Sequence, residues 1–159
     1  AMTGWRLGFA RIPEKIFPYV AQLNLNILSC TSPFIQMAGI EALSGSQIGS
    51  DNMVKKFKER REFIVDGLND ISGIKCLKPE GAFYVFPNVT NFCHRFGCEN
   101  AEQLFDYFFD KLNIAVLPRT DFGPRNTGET QEYIRMSYAT STKDIERGLK
   151  RIKNNSPNY

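Results

Sequence analysis

Two arginines sit in patterns able to grip an anion. Arg6 lies in AMTGWRLGFA, between apolar Trp5 and Leu7 and bracketed by Gly4 and Gly8. Those glycines allow close backbone approach, and Leu7 and Phe9 suit extended backbone, so residues 4–8 read as a Gly-bracketed strand. A guanidinium among apolar neighbours stands at a rim or takes an anion, and its planar fork of donors matches phosphate and carboxylate. The bland alternative is a strand-end arginine paired with a nearby acid. Arg135 lies in YIRMSYATS, residues 133–141, where side chains alternate in the manner of a strand. Ile134, Met136 and Tyr138 share one face, while Tyr133, Arg135 and Ser137 share the other. Arg135 therefore points away from the neighbours that seat the strand, either into solvent or towards a carboxylate.

Other candidates are weaker. Cys93, His94 and Cys98 are close in sequence, but they form no C-x-x-C pair and lack a fourth ligand at a sensible spacing. No metal is expected there; the reading is reduced thiols on a loop, with His94 at the surface. The usage of Cys30, Cys76, Cys93 and Cys98 fits an intracellular, cytoplasmic protein.

The chain has 159 residues, 42% of them hydrophobic, which is one domain's length with enough apolar content for a core. Its formal charge of +3 is spread, with both signs interleaved through 55–70 and 143–153. That is the pattern of solvated helix faces, so no nucleic-acid partner is expected. No apolar run approaches the roughly 18 residues of a membrane span, and no signal peptide is visible, so no membrane partner is expected.

The elements that must position the arginines follow from periodicity. Pro13 suits a first helical turn, and Ile16, Phe17, Val20, Leu23 and Ile27 repeat as an amphipathic helix to about Leu28. Ser32 as N-cap and Pro33 at N1 open a second helix to Leu43, apolar on several sides and in need of burial all round. Ser44, Gly45 and Ser46 mark a boundary, and a long charged helix runs from about Ser50 to Ile71. Strands are expected at 74–77, 82–86, 114–117 and 132–138, with 87–100 irregular. Asn100 and Gln103 have the spacing of a capping box before a helix buried through Ala101, Leu104, Phe105, Phe108 and Leu112. A last helix starts near Ser141 and buries Ile145, Leu149 and Ile152. From Ser50 the order helix–β–β–helix–β–β–helix describes a small sheet covered by helices.

AMTGWRLGFA resembles the segment that follows the cofactor lysine in class I/II pyridoxal-phosphate aminotransferases, the aspartate aminotransferase-like group of fold type I. PEGAFYVFPNV (79–89), IAVLPRTDFG (114–123) and YIRMSYATS carry the similarity onward, in the family's order and spacing, over nearly the whole chain. The fold class implied is α/β: a small α+β domain of the PLP-dependent transferase fold, plus a strand and helices of the large domain. The implied domains are a large-domain remnant with the interdomain helix at 1–47, the small C-terminal domain at 48–155, and a tail at 156–159.

By resemblance Arg6 matches the arginine that holds the phosphate of pyridoxal 5'-phosphate, and Arg135 the one that binds the substrate α-carboxylate. Phe83 in GAFYV is the better substrate-side candidate of the pair Phe83 and Tyr84, with a core role for either as the alternative. The Schiff-base lysine falls before Ala1 in the family's spacing, so no catalytic residue is expected within this chain, which alone would be inactive. Ser29, Cys30, Thr31, Ser32 and Pro33 match a segment near the family's dimer interface, or form a plain turn. In IAVLPRTDFG the family usually has glycine where Arg119 stands, which leaves the turn and pocket entrance open. The implied function is transamination between an L-amino acid and a 2-oxo acid by a homodimeric parent enzyme. The alternatives are a non-catalytic binding or regulatory domain, against which the presence of both arginines argues, and a PLP-dependent lyase.

Overall fold

Antiparallel pairing around a single central strand organises the C-terminal two thirds of the chain. The computed structural model describes residues 2–156. Helices α1 (Phe17–Leu28), α2 (Pro33–Ser44) and α3 (Ile48–Asn69) come first. Then follow β1 (Tyr84–Val85), α4 (Thr90–Phe96), α5 (Ala101–Leu112), β2 (Leu117–Pro118), β3 (Ile134–Ser137) and α6 (Thr142–Asn154). The mixture of helices with one small sheet is the α/β class expected. Two compact units divide within α3, one ending at Met53 and the other beginning at Val54. No described helix is long and apolar enough to cross a membrane.

In the first unit the opening strand expected at 4–8 is absent. Thr3–Trp5 forms a short 3-10 turn instead, and Arg6 follows it in the left-handed region at φ 52°. That conformation reverses the chain, so the segment cannot extend as a strand. Pro13 precedes a second 3-10 turn, Glu14–Ile16, that feeds α1, whose first turn holds Pro18. α2 starts at Pro33 with Ser32 before it, although no side-chain cap bond forms. No residue of α1 is buried, and in α2 only Gly39, which lies against the Leu7 side chain.

The second unit holds the core. Leu68 of α3, Val85 of β1, Phe92 of α4, Leu104 and Phe108 of α5, Ile134 and Tyr138 at β3, and Ile152 of α6 are all at most 1% exposed. The sheet has the order β1-β3-β2, with Tyr84 opposite Ser137, Val85 opposite Met136, Leu117 opposite Arg135 and Pro118 opposite Ile134. Its strands are shorter than expected. Residues 74–77 make only a bridge at Lys75 with Asn88. Next to it the Asn69 side chain accepts from the Cys76 N–H at 2.8 Å and donates to the Cys76 carbonyl at 3.0 Å. Those groups need no ladder partner, so a side chain replaces a strand.

Helix α4 was not expected, since 87–100 reads as irregular. In Thr-Asn-Phe-Cys-His-Arg-Phe only the arginine favours a helix by propensity. Burial holds it: the Phe92 ring meets Phe96 at 4.8 Å and Phe108 at 6.1 Å. The Asn88 carboxamide accepts from the Thr90 N–H, and Gly97 at φ 70° closes the helix. Gly73 is needed for the close approach of α4. At φ 91° it faces the Phe92 backbone, and a Cβ there would stand 3.0 Å from the Phe92 nitrogen.

The caps at the starts of the last two helices form. The Asn100 side chain accepts from the Gln103 N–H at 3.0 Å, while Gln103 reaches back to the Glu99 N–H. Ser141 caps α6 through the Asp144 N–H at 3.1 Å. Arg151 of α6 donates to the Leu112 carbonyl at the C-terminal end of α5. Ile145 and Ile152 are buried, with Leu149 packed against the core. Tyr138 donates its hydroxyl to the Ala82 carbonyl at 2.9 Å, which fixes the turn where Ala82 sits at φ 58°. Of the tail 156–159, only Ser156 lies within the described residues.

Two outcomes follow from this distribution of burial. Amide hydrogen exchange should be slowest in α5, α6 and the Ile64–Leu68 stretch of α3, and orders of magnitude faster in α1 and α2. Equal protection in α1 and α5 of the isolated chain would contradict it. Burial also pushes the Cys76 thiol up to about 11 and, more strongly, Cys93 to about 12. With a disulfide reagent near pH ~8, exposed Cys30 should react first, and Cys76 and Cys93 only on unfolding. Fast labelling of Cys93 in the folded chain would overturn this.

Candidate carboxylate-binding site

β3 is the middle strand, so Arg135 has a neighbour on each side. Core contacts claim Ile134, Met136 and Tyr138, which commits Arg135 to the opposite face by parity. Opposite residues of an antiparallel pair share a face, so Tyr84 stands there beside Ser137, and Phe86, two residues on, stands there too.

The Arg135 guanidinium carbon lies 4.2 Å from the centre of the Tyr84 ring and 4.7 Å from that of Phe122. Phe86 stacks on Tyr133 at 5.4 Å with planes 7° apart, and meets Phe122 edge to face at 6.1 Å. The cation therefore lies over two ring faces within a larger aromatic cluster. Ring faces attract the charge without using an N–H donor. Among the described residues no carboxylate or carbonyl accepts from this guanidinium. Three other arginines of the unit are paired with acids: Arg125 with Glu132 at 2.8 Å, Arg147 with Asp144 at 2.7 Å and Arg119 with Glu129 at 2.9 Å. Arg135 is half-buried, and its fork is left open.

Phe83, the favoured aromatic in the sequence, points the other way. Its ring stacks with Phe57 of α3 at 6.1 Å and packs on the core, touching the Tyr84 ring at 4.5 Å. Tyr84, ranked second, is the residue beside Arg135. The pair is separated by strand parity, which the register supplies and composition does not. Phe86 and Tyr133 could have been found by counting in twos from Tyr84 and Arg135. Phe122 carries no such signal, because a loop brings it in.

Arg6 is exposed in the first unit, and Arg135 belongs to the second. No acid pairs with Arg6 among the described residues, so the strand-end ion pair does not form. Its free fork fits a phosphate dianion. Ala1, Met2, Thr3, Gly4 and Trp5 precede it, and the first lysine of the chain is Lys15.

Glu132, next to the strand, is structural in its bonding. It is 8% exposed, takes both Arg125 nitrogens at 2.8 Å, and accepts from the Ala101 N–H at 2.9 Å. Burial alone would raise its pKa, but the Arg125 and Ala101 hydrogen bonds outweigh that and hold it below the usual carboxylate range. It stays charged and is no proton carrier near neutrality. Cys93 is buried, Cys98 half-buried and His94 exposed, and among the described residues no group of three acidic, His or Cys side chains could hold a metal. Arg119, where the resemblance left the turn open, is not among the positive-φ residues, so its side chain fits without backbone strain.

Known proteins share both the sequence and the fold of this chain. The family description "Aminotransferase class I and II" matches residues 1–152. The aspartate aminotransferase of Pyrococcus horikoshii is 36% identical over 155 residues, covering 96% of this chain and 37% of the relative. A putative aminotransferase of Bacillus subtilis is 35% identical over 153 residues, with the same coverage of 96% and 37%. Among solved structures, the aspartate aminotransferase from Rhizobium meliloti superposes with a TM-score of 0.79 at 32% identity, covering 96% of this chain and 38% of that one. An aromatic aminotransferase from Pyrococcus horikoshii gives 0.80 at 30% identity, with coverage of 96% and 39%. The chain thus spans a little over a third of the length of the relatives it matches, and its fold is that of the aminotransferases of fold type I. On the match over residues 1–152, the chain belongs to the class I and II aminotransferase family.

Proposed function

We propose that this chain is part of a pyridoxal-phosphate-dependent aminotransferase that moves an amino group between an L-amino acid and a 2-oxo acid. One observation carries the reading: the Arg135 fork, over the rings of Tyr84 and Phe122, has no acid partner among the described residues. When bound, pyridoxal 5'-phosphate supplies the electron sink that such an exchange requires. The chain's own part is positioning. Two parallel N–H···O bonds from Arg135 fix the plane of the substrate α-carboxylate, and with it the direction of the Cα–H bond. The rings exclude water from the guanidinium faces, which strengthens its attraction for the carboxylate. Phe83 acts from behind, backing Tyr84 against the core. Arg6 holds the cofactor phosphate through the same fork geometry. Neither arginine moves a proton.

The same reading takes the parent as a cytoplasmic homodimer. The four thiols are free, as a reducing compartment requires, and the Phe34, Met37, Ile40 and Leu43 side chains of α2 are exposed in the isolated chain.

Arg135→Lys in the whole enzyme tests the site. It keeps the charge but loses the fork, and a charge-assisted hydrogen bond contributes about 1.5–3 kcal/mol. kcat/KM should fall about ten- to a hundredfold for two amino acids with dissimilar side chains, since both carry the carboxylate. Arg6→Lys should instead weaken cofactor retention first. Unchanged catalysis in Arg135→Lys with either substrate would reduce Arg135 to a surface arginine.

A further inference from the structure

Phe122 is the one ring at Arg135 that no strand holds. It ends a 3-10 turn, Arg119–Phe122, in the segment that links β2 to β3, and it is half exposed. Gly123 follows it at φ 121°, a conformation that side chains rarely adopt, so the backbone gives the turn no intrinsic stiffness at that point.

The arginine at its other end makes most of the bonds that hold the turn, beside one from the Thr120 hydroxyl to Glu102 and the edge-to-face contact of Phe122 with Phe86. Arg119 Nη1 donates to the Gly123 carbonyl at 2.9 Å, directly after Phe122, and Nη2 donates to the Pro124 carbonyl at 3.3 Å. Nε and Nη2 both reach the Glu129 carboxylate, at 2.9 and 3.0 Å. Glu129 in turn accepts from the Asn126 N–H at 2.9 Å and from its carboxamide at 3.2 Å. The two charged side chains are only 16% and 15% exposed, so solvent competes weakly for these bonds. Every nitrogen of the Arg119 fork is engaged, and each bond ties the start of the segment to its middle or its end. The Asn126 N–H bond, ahead of the Arg119 charge, holds the Glu129 pKa below the usual range, so the clasp stays ionised near neutrality.

We propose that the Arg119–Glu129 pair is a positioning clasp that holds Phe122 over the Arg135 guanidinium and thereby sets how firmly Arg135 takes a substrate carboxylate. The second half of that statement rests on the carboxylate role proposed for Arg135; the first half does not. Arg119 itself touches no substrate. Its effect passes through the ring of Phe122, which covers one face of the guanidinium and restricts the rotamers of a long, flexible side chain.

NMR on the full 159-residue chain tests the first half. The Arg135 guanidinium carbon lies over two ring faces, so the Cδ and Nε protons bonded beside it should be shifted upfield. Phe122→Leu should remove one of the two ring contributions. Arg119→Ala and Glu129→Gln should move the Arg135 signals in the same direction, and Glu129→Gln should add nothing once Phe122→Leu is present. Glu129→Gln preserves side-chain volume, so it decides the matter even where Arg119→Ala fails to fold. Arg135 signals that stay in place in Glu129→Gln while the amides of 119–129 shift would overturn the clasp.

The whole enzyme tests the second half. Glu129→Gln and Phe122→Leu should each raise KM for the amino acid and the oxo acid about two- to fivefold, the size of one exposed cation–π contact, with the change in KM rather than kcat. An unmoved KM in both variants overturns the link from clasp to substrate. Failure of the carboxylate role itself shows separately, as an Arg135→Lys enzyme with unaltered kinetics while the NMR shifts still follow the clasp.

Discussion

A half-buried positive charge with no counter-ion among the described residues is the constraint around which the second unit is arranged. Removing Arg135 from water without a partner is unfavourable, and the structure offsets the cost with ring faces rather than with a carboxylate. The difference matters chemically. A carboxylate would occupy the N–H fork, whereas Tyr84 and Phe122 leave it open. Because β3 is the central strand, both flanks of Arg135 are supplied: β1 brings Tyr84 across one edge, and β2 leads into the turn that brings Phe122. The core packs against the other face through Ile134 and Tyr138, so the strand cannot slip by one residue without burying the guanidinium.

The neighbouring acids are used elsewhere. Glu132 is adjacent in sequence to the strand, yet it is turned to Arg125 and to the first N–H of α5. Glu129 is taken by Arg119. The pairs Arg119–Glu129 and Arg125–Glu132 thus do two things at once. They tie down the segment between β2 and β3, and they engage the carboxylates of Glu129 and Glu132.

The legible parts of the sequence were those set by local periodicity and capping chemistry. Asn100 with Gln103, and Ser141 with Asp144, sit where side-chain geometry alone decides a helix start. The alternation of 133–138 placed Arg135 opposite the core. The rest depended on long-range partners. Residues 74–77 look like a strand, but Asn69, on the preceding helix, satisfies Cys76 instead. Helix α4 exists because Phe92 has Phe108 to pack on, which no local pattern records. Arg6 reads as part of a strand until the 3-10 turn before it and its left-handed backbone are seen. Phe83 and Tyr84 are adjacent aromatics, and only the pairing of Tyr84 with Ser137 tells which one faces the site.

A crystal structure of the whole enzyme with a bound 2-oxo acid tests most directly where the carboxylate sits. Two carboxylate oxygens are expected, each about 2.7–2.9 Å from an Arg135 nitrogen, with the guanidinium still over the Tyr84 and Phe122 rings. A carboxylate held by other residues, with Arg135 turned to a protein acid or to bulk water, would contradict it.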